Sequence, residues 1–419
     1  MAIIAAFISL VFLYSLVSRR LERTVVTAPI LFTSAGAALM AISTEALNEL
    51  ALDLKSLLLI AELGLVMTLF TDASRVSPNL LKGHANLPIR LLSTGMLLTI
   101  LLGTLCAMLV FGELTWQEAG ILSSILAPTD AGLGQVIVSS PHVPQRIRQA
   151  LNVEAGLNDG LSVPFLMFFI ALAVASEERS GGAVLSGFLI EQLGYGVLIG
   201  LGIGIAGGWL LGLAASKEWM AEPLGQLGVV ALALACELAS KVSGASMFIA
   251  AFVAGLSIQV GFRDVAKHSI EFTEEWGQLF NFFVFFLFGM LVARAWTQFS
   301  FVIVAYGVLS LTLVRIIPVA IALRGTRLSR PTVLFMGWFG PRGLASIVLG
   351  LVYLEEEAHL SQESTIKLAT MATVLLSIFA HGLTALPGIN RYAKAISPLD
   401  NSAPEHEATS PDVEETKRV

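Results

Sequence analysis

The fold of this chain is decided by a nine-residue stretch near its middle, residues 152–160, which reads Asn-Val-Glu-Ala-Gly-Leu-Asn-Asp-Gly. Two carboxylates, Glu154 and Asp159, stand here before a run from Leu161 to Ser176 that contains no further charge. Charged side chains at bilayer depth are costly, and they usually pair with one another or line an ion or proton path. The stretch therefore predicts a membrane helix with a functional carboxylate.

The composition places the rest of the chain in the same class. Of its 419 residues, 55% are hydrophobic and 13% are charged, and the mean hydropathy is +0.80. Soluble domains have about 25% charged residues. The sequence therefore predicts a polytopic, all-α membrane protein that is surrounded by lipid and does not bind nucleic acid.

Apolar runs long enough to cross the hydrocarbon of a bilayer, about 30 Å thick, recur along the chain. We predict thirteen spans, at 2–17, 27–43, 56–73, 88–111, 117–138, 148–176, 188–215, 224–240, 244–262, 272–295, 299–322, 330–354 and 364–386. Residues 397–419 are rich in Pro, Ser, Glu and Asp, a composition that cannot bury enough apolar surface to fold alone. We expect a transmembrane domain over 1–396 and a disordered cytoplasmic tail over 397–419.

The distribution of lysine and arginine predicts the orientation. With the N-terminus outside, the inside loops and the tail contain 18 of the 25 basic residues, and the outside loops contain five. Cytoplasmic loops are enriched in basic residues, so this asymmetry predicts an outside N-terminus and a cytoplasmic C-terminus. The two basic residues that remain, Arg315 and Arg342, lie inside predicted spans. We expect the protein in the cell membrane, that is, the inner or plasma membrane.

Two of the predicted spans are interrupted at comparable places. The fifth contains Ala-Pro-Thr-Asp-Ala-Gly at 127–132, and the twelfth contains Phe-Gly-Pro-Arg-Gly at 339–343. Proline and glycine break helices, and unwound backbone at membrane depth needs protein or a water-filled cavity around it. Paired interruptions are typical of inverted-repeat transporters with a midplane site. We predict one repeat over about 1–176, a linker helix at 188–215 and a second repeat over about 224–386.

The two carboxylates of the opening stretch point in different directions. At 100° per residue, Glu154 and Asp159 are about 140° apart around the helix, which permits them separate roles. We expect Glu154 in a structural ion pair, with Arg315 as the first candidate partner and Arg342 as the second, because an unpaired buried carboxylate is unfavourable. Asp159 has no cationic partner in its own helix. Protons and a hard metal cation are expected to compete for it.

The interruptions supply further candidates. Asp130 either caps the half-helix that follows it or binds the ion directly, and the sequence leaves both roles open. Thr129 offers a hydroxyl and a carbonyl oxygen, which both suit Na⁺. Arg342 is placed to offset the carboxylates and the negative end of a half-helix. His381, in the thirteenth span, is expected to be a core histidine.

These motifs, in this order and spacing, resemble those of NhaP-type sodium/proton antiporters of the cation/proton antiporter-1 family. The motifs are Ala-Pro-Thr-Asp at 127–130, Val-Glu-Ala-Gly-Leu-Asn-Asp-Gly at 153–160 and Gly-Pro-Arg-Gly-Leu-Ala-Ser at 340–346. The resemblance implies an NhaA-like fold of thirteen helices with two crossed broken helices, a six-helix core domain and a homodimer. It also implies that Asp159 carries the ion or the proton, supported by Asn158 and Thr129. Ala155 departs from the pattern, which often has serine.

The expected function is secondary active exchange of Na⁺ or Li⁺ for H⁺ by alternating access, with no cofactor and no enzymatic activity. Asp159 and Thr129 are the predicted contacts of the transported Na⁺. Because Asn158 replaces a second acid, a single titrating carboxylate favours electroneutral 1:1 exchange. Other transport readings are a K⁺/H⁺ antiporter and a Na⁺-coupled symporter on the same fold. An intramembrane aspartyl protease, using Asp130 and Asp159, is the alternative from another class.

Overall fold

The computed structural model describes residues 2–21, 24–42, 54–75, 86–177, 186–187, 190–262, 266–355, 360–400 and 403–406. Within these ranges the regular structure is entirely helical, which confirms the predicted fold class. Each predicted span coincides with helix, which we number α1 to α13. The bounds are α1 Ala2–Leu21, α2 Ala28–Ile42, α3 Leu54–Ser74, α4 Asn86–Phe111, α5a Trp116–Ile125, α5b Ala131–Val138, α6 Gln145–Glu177, α7 Ile190–Ser216, α8 Glu222–Ser243, α9 Met247–Ile258, α10 Ala266–Ala295, α11 Phe301–Ala322, α12a Arg330–Trp338, α12b Leu344–Glu355 and α13 Glu363–Ile396.

Several helices begin at a capping side chain that the sequence supplies. Thr115 and Glu118 form a reciprocal capping box at the start of α5a. Ser246, Ser300 and Ser329 accept hydrogen bonds from backbone amides in the first turns of α9, α11 and α12a. Eight of the described helices are long and apolar enough to cross a membrane, so the chain is an integral membrane protein.

The helices pack as two bundles. The first bundle contains α1, α2, α3, α7, α8, α9 and α10, and the second contains α4, α5, α6, α11, α12 and α13. The first three helices of each predicted repeat therefore lie in one bundle and the last three in the other. The two bundles meet where α3, α9 and α10 contact α6 and α12b. The contact between α6 and the first bundle passes beside Asp159, where Phe252 of α9 packs on Gly160 of α6.

Close helix approach inside the first bundle depends on small residues. Gly200, Gly204 and Gly208 of α7 face the backbone of α9 so closely that a Cβ at any of them would overlap it. Small residues at helix interfaces are typical of membrane proteins, where packing rather than the hydrophobic effect drives association of helices.

Two short parts of the predicted tail lie among the described residues. Residues 397–400 are described, and Pro404–His406 form a 3₁₀ turn in which Glu405 is buried. Arg146 near the start of α6 donates a hydrogen bond of 2.5 Å to the Pro404 carbonyl. The sequence composition did not indicate this turn, which is also held by hydrogen bonds from Ser329 and Thr332 to the buried carboxylate of Glu405. Residues 401–402 and 407–419 lie outside the described residues. We call the end of the molecule that contains this turn the tail side.

Candidate functional site

The two interrupted helices cross at their breaks. The Asp130 amide donates a hydrogen bond of 2.7 Å to the Pro341 carbonyl, which joins the break in α5 to the break in α12. Helix stops at these positions because Pro128 and Pro341 lack an amide hydrogen, and glycines flank the second proline. Four half-helix ends therefore meet inside the second bundle, each with backbone groups that need partners.

Asp130 supplies partners for two of those ends. Its Oδ1 atom accepts a hydrogen bond of 2.9 Å from the Leu133 amide in α5b, and its Oδ2 atom accepts one of 2.6 Å from the Leu344 amide in α12b. Helix N-termini stabilise an anion placed there. A Cβ at Gly343 would overlap the same carboxylate, so glycine is needed at this point. Of the two roles that the sequence leaves open, capping engages both carboxylate oxygens.

Arg342 supplies partners for a third end. Its Nη1 atom donates hydrogen bonds of 2.8 Å and 3.1 Å to the carbonyls of Ala127 and Pro128, just after α5a. The side chain is completely buried. A cation at a helix C-terminus is favoured by the helix dipole, which offsets part of the cost of burial.

Glu154 forms its ion pair with Arg315. Their carboxylate and guanidinium atoms Oε1 and Nη1 lie 2.6 Å apart, and both side chains are 3% exposed. Arg315 comes from α11 just after an irregular turn at Thr312, where the helix is interrupted. Within the described part of the chain, Arg342 does not pair with Glu154, because its guanidinium turns toward the end of α5a.

Asn158 and Asp159 face the crossing with oxygen atoms that have no hydrogen-bond partner among the described residues. The Asn158 amide donates a hydrogen bond of 2.5 Å to the Thr129 hydroxyl, which ties α6 to the first break. The Oδ1 atoms of Asn158 and Asp159 are both buried and unpartnered there. Buried polar atoms usually have partners, so two such oxygens on consecutive residues indicate a place for a cation, a proton or water.

Ala155 lies beside a small cavity at the same crossing. This void of about 20 Å³ is lined by Ala155, Thr129, Asp130 and Glu154 among others. A void of about 10–15 Å³ is large enough for one water molecule. The space beside Ala155 is therefore large enough for a small oxygen ligand.

A larger cavity leads to this site from the tail side. It has a volume of about 380 Å³ and lies between α3, α5b, α6 and α10, with Asp72, Gln135, Asn152 and Gly156 in its wall. Asp159 lies one turn of α6 beyond Gly156. Asp72 and Asp130 are the carboxylates that act electrostatically on Asp159. Asp72 is not among the candidate residues predicted from the sequence, although a carboxylate near the end of an apolar span is a visible signal.

The opposite side of Asp159 is closed by packing. Phe252 covers Gly160 so closely that a Cβ there would overlap the ring. Beyond it lies a second cavity of about 400 Å³, lined by Glu62, Met167, Ser240 and Phe248 among others. Glu62 is a second carboxylate of the third span, and it too is absent from the candidates predicted from the sequence. Along α6, Asp159 thus lies between Gly156 in the wall of the tail-side cavity and Met167 in the wall of the second cavity, and it is nearer in sequence to Gly156.

Within the described residues, no three His, Cys, Asp or Glu side chains converge as a metal cluster would require. The arrangement instead offers one carboxylate, amide and hydroxyl oxygens, and the ends of helices. Such a set suits the transient binding of a weakly held hard cation better than a resident metal ion.

Comparison with known proteins gives a family match over nearly the whole chain. The family model described as "Sodium/hydrogen exchanger, transmembrane" matches residues 3–389. The structure is similar to that of the sodium proton antiporter MjNhaP1 from Methanocaldococcus jannaschii at pH 8, with a TM-score of 0.68 and 20% identity over 91% of this chain and 99% of that chain. At this identity the likeness shows the fold.

Curated relatives match over shorter stretches. A K(+)/H(+) antiporter, NhaP2, from Shewanella oneidensis is 31% identical over 145 residues, which is 34% of this chain and 24% of that protein. A Na(+)/H(+) antiporter from Schizosaccharomyces pombe is 25% identical over 313 residues, which is 66% of this chain and 65% of that protein. The matches thus cover less than two thirds of each relative.

Proposed function

This chain belongs to the sodium/hydrogen exchanger family, and on that premise we propose that it exchanges Na⁺ or Li⁺ for H⁺ across the cell membrane. The observation that carries the proposal is the unpartnered, buried Oδ1 atom of Asp159 at the crossing of the broken helices. The other charges of the crossing described above have fixed partners. Asp159 is therefore the group that is able to change what it binds.

The proposed exchange uses competition at this one carboxylate. Asp159 binds either a cation or a proton, and the Oδ1 atom of Asn158 and the hydroxyl of Thr129 complete the cation's oxygen shell. Because the neighbouring side chain is an amide, one charge is exchanged for one charge, and transport is electroneutral. The tail-side cavity gives access from one side, and the contact between Phe252 and Gly160 closes the other.

Alternating access follows from the two bundles. We propose that the second bundle, which contains the crossing, moves against the first and opens the contact between α6 and α9 while it closes the tail-side cavity. The first bundle would form a homodimer in the membrane. The N-terminus would lie outside and the tail side would face the cytoplasm, so the state seen here would be open to the inside.

The proposal is tested in proteoliposomes with an imposed pH gradient. Wild-type protein should take up ²²Na⁺ in exchange for protons, and the Asp159→Asn variant should show no exchange above empty vesicles. Glu237→Gln, at the ion pair with Lys241 in α8 of the first bundle, is the matched control and should remain active. Na⁺-driven proton flux that persists in Asp159→Asn would remove Asp159 from the mechanism.

The electroneutral claim has its own measurement. Clamping the membrane potential with K⁺ and valinomycin, at values from inside negative to inside positive, should leave the initial rate of Na⁺/H⁺ exchange unchanged. A rate that changes strongly with potential would show that net charge moves and would contradict 1:1 exchange.

K⁺ is the second candidate cation, because the relatives with 31% and 30% identity are named K(+)/H(+) antiporters. Their match covers 145 residues of this chain. Proton flux driven by equal gradients of Na⁺, Li⁺ and K⁺ separates the two readings. A response to K⁺ alone would keep the antiport mechanism and change its cation.

A further inference from the structure

The fourth half-helix end at the crossing is held from outside the two broken helices. Asp130 and Arg342 satisfy the ends of α5b, α12b and α5a, as described above. The remaining end is the C-terminus of α12a, where the Trp338 carbonyl lies 2.8 Å from the Nε2 atom of His381 in α13 and also accepts a hydrogen bond of 2.9 Å from the Gly340 amide. His381 is 2% exposed, so no solvent is available to replace this contact.

The second ring nitrogen connects to the other half of the same helix. The Nδ1 atom of His381 lies 3.1 Å from the Ser377 hydroxyl, and that oxygen accepts a hydrogen bond of 2.6 Å from the Arg342 amide. The Trp338 carbonyl is an acceptor, so Nε2 donates to it. In a neutral ring Nδ1 then accepts from the Ser377 hydroxyl. This gives a continuous chain of hydrogen bonds from the Arg342 amide to the Trp338 carbonyl.

The neutral form of the ring is the one that suits its surroundings. A protonated ring would also find an acceptor at Nδ1, since the Ser377 carbonyl is 3.0 Å away. Burial disfavours the charged form of an imidazole, and the His381 side chain is only 2% exposed. The neutral ring uses both nitrogens, one as donor and one as acceptor.

This chain of hydrogen bonds spans the break. Trp338 ends α12a, and Arg342 lies just before α12b. The Trp338 indole adds a second tie to α13 through its hydrogen bond of 3.0 Å to Thr384. Because Ser377 holds the Arg342 backbone, it also fixes the origin of the guanidinium that binds the carbonyls of Ala127 and Pro128.

We propose that His381 is a positioning residue for ion exchange: with Ser377 it fixes the break in α12, and through Arg342 it sets the spacing of the oxygens around Asp159. His381 does not touch the ion. The inference rests on the proposed function, because it predicts an effect on cation affinity. Removing groups that orient metal ligands from the outer shell costs about 10- to 100-fold in affinity or activity, and we expect a comparable rise in the cation KM here.

The test compares four substitutions, three at His381 and one at Ser377, that keep different parts of these contacts. In His381→Gln, the amide nitrogen reaches the position of Nε2 and can donate to Trp338. In His381→Asn, the shorter amide reaches only the position of Nδ1. The Trp338 carbonyl then loses its hydrogen bond from residue 381. His381→Ala removes both contacts. Ser377→Ala keeps the imidazole and removes the link to Arg342.

The KM for Na⁺ and the maximal rate are measured in proteoliposomes for each variant, beside wild type and Asp159→Asn. We expect His381→Gln within about threefold of wild type, and His381→Asn, His381→Ala and Ser377→Ala with KM raised about 10- to 100-fold and the maximal rate largely kept. Protection of the detergent-solubilised protein by Na⁺ against thermal unfolding should rank the variants in the same order of Na⁺ affinity, and it requires no transport measurement. If the alanine variants do not fold, the KM of His381→Gln compared with that of His381→Asn still tests the proposal.

Two results would overturn this inference. One is an unchanged KM in His381→Asn and Ser377→Ala, and the other is a KM in His381→Gln raised as much as in His381→Asn. Either result, with wild type active and Asp159→Asn inactive, would leave the proposed function intact. Absence of Na⁺/H⁺ exchange in wild type would instead contradict the proposed function itself.

Discussion

At the scale of single residues, the crossing contains charges with fixed partners and one charge, on Asp159, that we propose exchanges its bound ion. Glu154 is held by Arg315, Arg342 by two carbonyls, and Asp130 by two helix N-termini. Each of these charges has a partner of opposite sign or the favourable end of a helix dipole. Asp159 has a buried Oδ1 atom with no such partner among the described residues, and we propose that a proton and a cation replace each other there.

The Glu154–Arg315 pair predicts a large effect on stability. Glu154→Gln would leave the buried Arg315 guanidinium without its counter-charge, and removal of one partner of a buried pair costs about 3–5 kcal/mol. Glu237→Gln is the control, because its partner Lys241 has a side chain that is 48% exposed and such pairs contribute about 0–1 kcal/mol. The free energies of unfolding of the two variants are compared by denaturant titration in detergent, with circular dichroism as the signal. Equal losses in the two variants would contradict the assigned role.

Ala155 predicts a gain in affinity. Ala155→Ser places a hydroxyl beside the void of about 20 Å³ next to Thr129 and Asp130. One added hydrogen bond or oxygen contact contributes about 0.5–1.5 kcal/mol, so we expect the KM for Na⁺ to fall about two- to tenfold. Ala155→Cys is of similar size, but its sulfur is a poor ligand for hard cations, and it should leave KM unchanged. A serine variant with unchanged KM would show that the void does not contribute to ion binding.

At the scale of elements, the contact between α6 and α9 closes one side of the site. Gly160→Ala would push a methyl group into the Phe252 ring, and overpacking of this kind costs about 1–3 kcal/mol. In the double variant Gly160→Ala/Phe252→Ala, the Phe252 ring that the added methyl group would overlap is absent. A double-mutant cycle of unfolding free energies should therefore show strong coupling between the two positions. Additive effects would mean that the two residues do not meet in the folded protein.

The tail turn predicts a pH-dependent contact at the start of α12a. Glu405 accepts hydrogen bonds of 2.7 Å from the Ser329 amide and 2.8 Å from the Thr332 hydroxyl. Burial raises the pKa of Glu405, but these hydrogen bonds outweigh it and hold the pKa below its usual value. The contact is therefore fully formed above the ordinary glutamate pKa of about 4.3, and it is lost as the pH falls through the lower pKa of the folded protein.

Hydrogen exchange measures that contact directly. The Ser329 amide should be protected at neutral pH and lose protection in acid, while in Glu405→Gln the protection should be weaker at neutral pH and change less in acid. Glu363→Gln, in the first turn of α13, is the control and should behave as wild type. Equal protection of Ser329 in wild type and Glu405→Gln at neutral pH would mean that the carboxylate does not hold the turn.

At the scale of the whole molecule, sequence pattern predicted the thirteen spans and both interruptions, because apolar length, proline and glycine are local signals. It also placed Asn158, Asp159 and Thr129 in one candidate site. The choice of Arg315 over Arg342 for Glu154, and the double capping by Asp130, depend on how distant helices cross. Helical periodicity does not contain that information. Asp72 and Glu62 were readable as charges in a span and were passed over.

The architecture combines a fixed crossing with a movable boundary. The hydrogen bonds of the crossing described above, including the link from Asp130 to Pro341, lie within the second bundle. The boundary with the first bundle runs through apolar contacts such as Phe252 on Gly160 and through two cavities. Such a boundary can change without breaking the site, as alternating access at Asp159 requires.

The most direct test of the central claim is the KM for Na⁺ as a function of pH in proteoliposomes. If one proton and one cation compete for Asp159, the KM should rise about tenfold for each unit of decreasing pH in the acidic range, with the maximal rate at saturating Na⁺ unchanged. A KM that does not depend on pH would contradict competition at one site. A rise of about a hundredfold per pH unit would show that two protons compete with each cation.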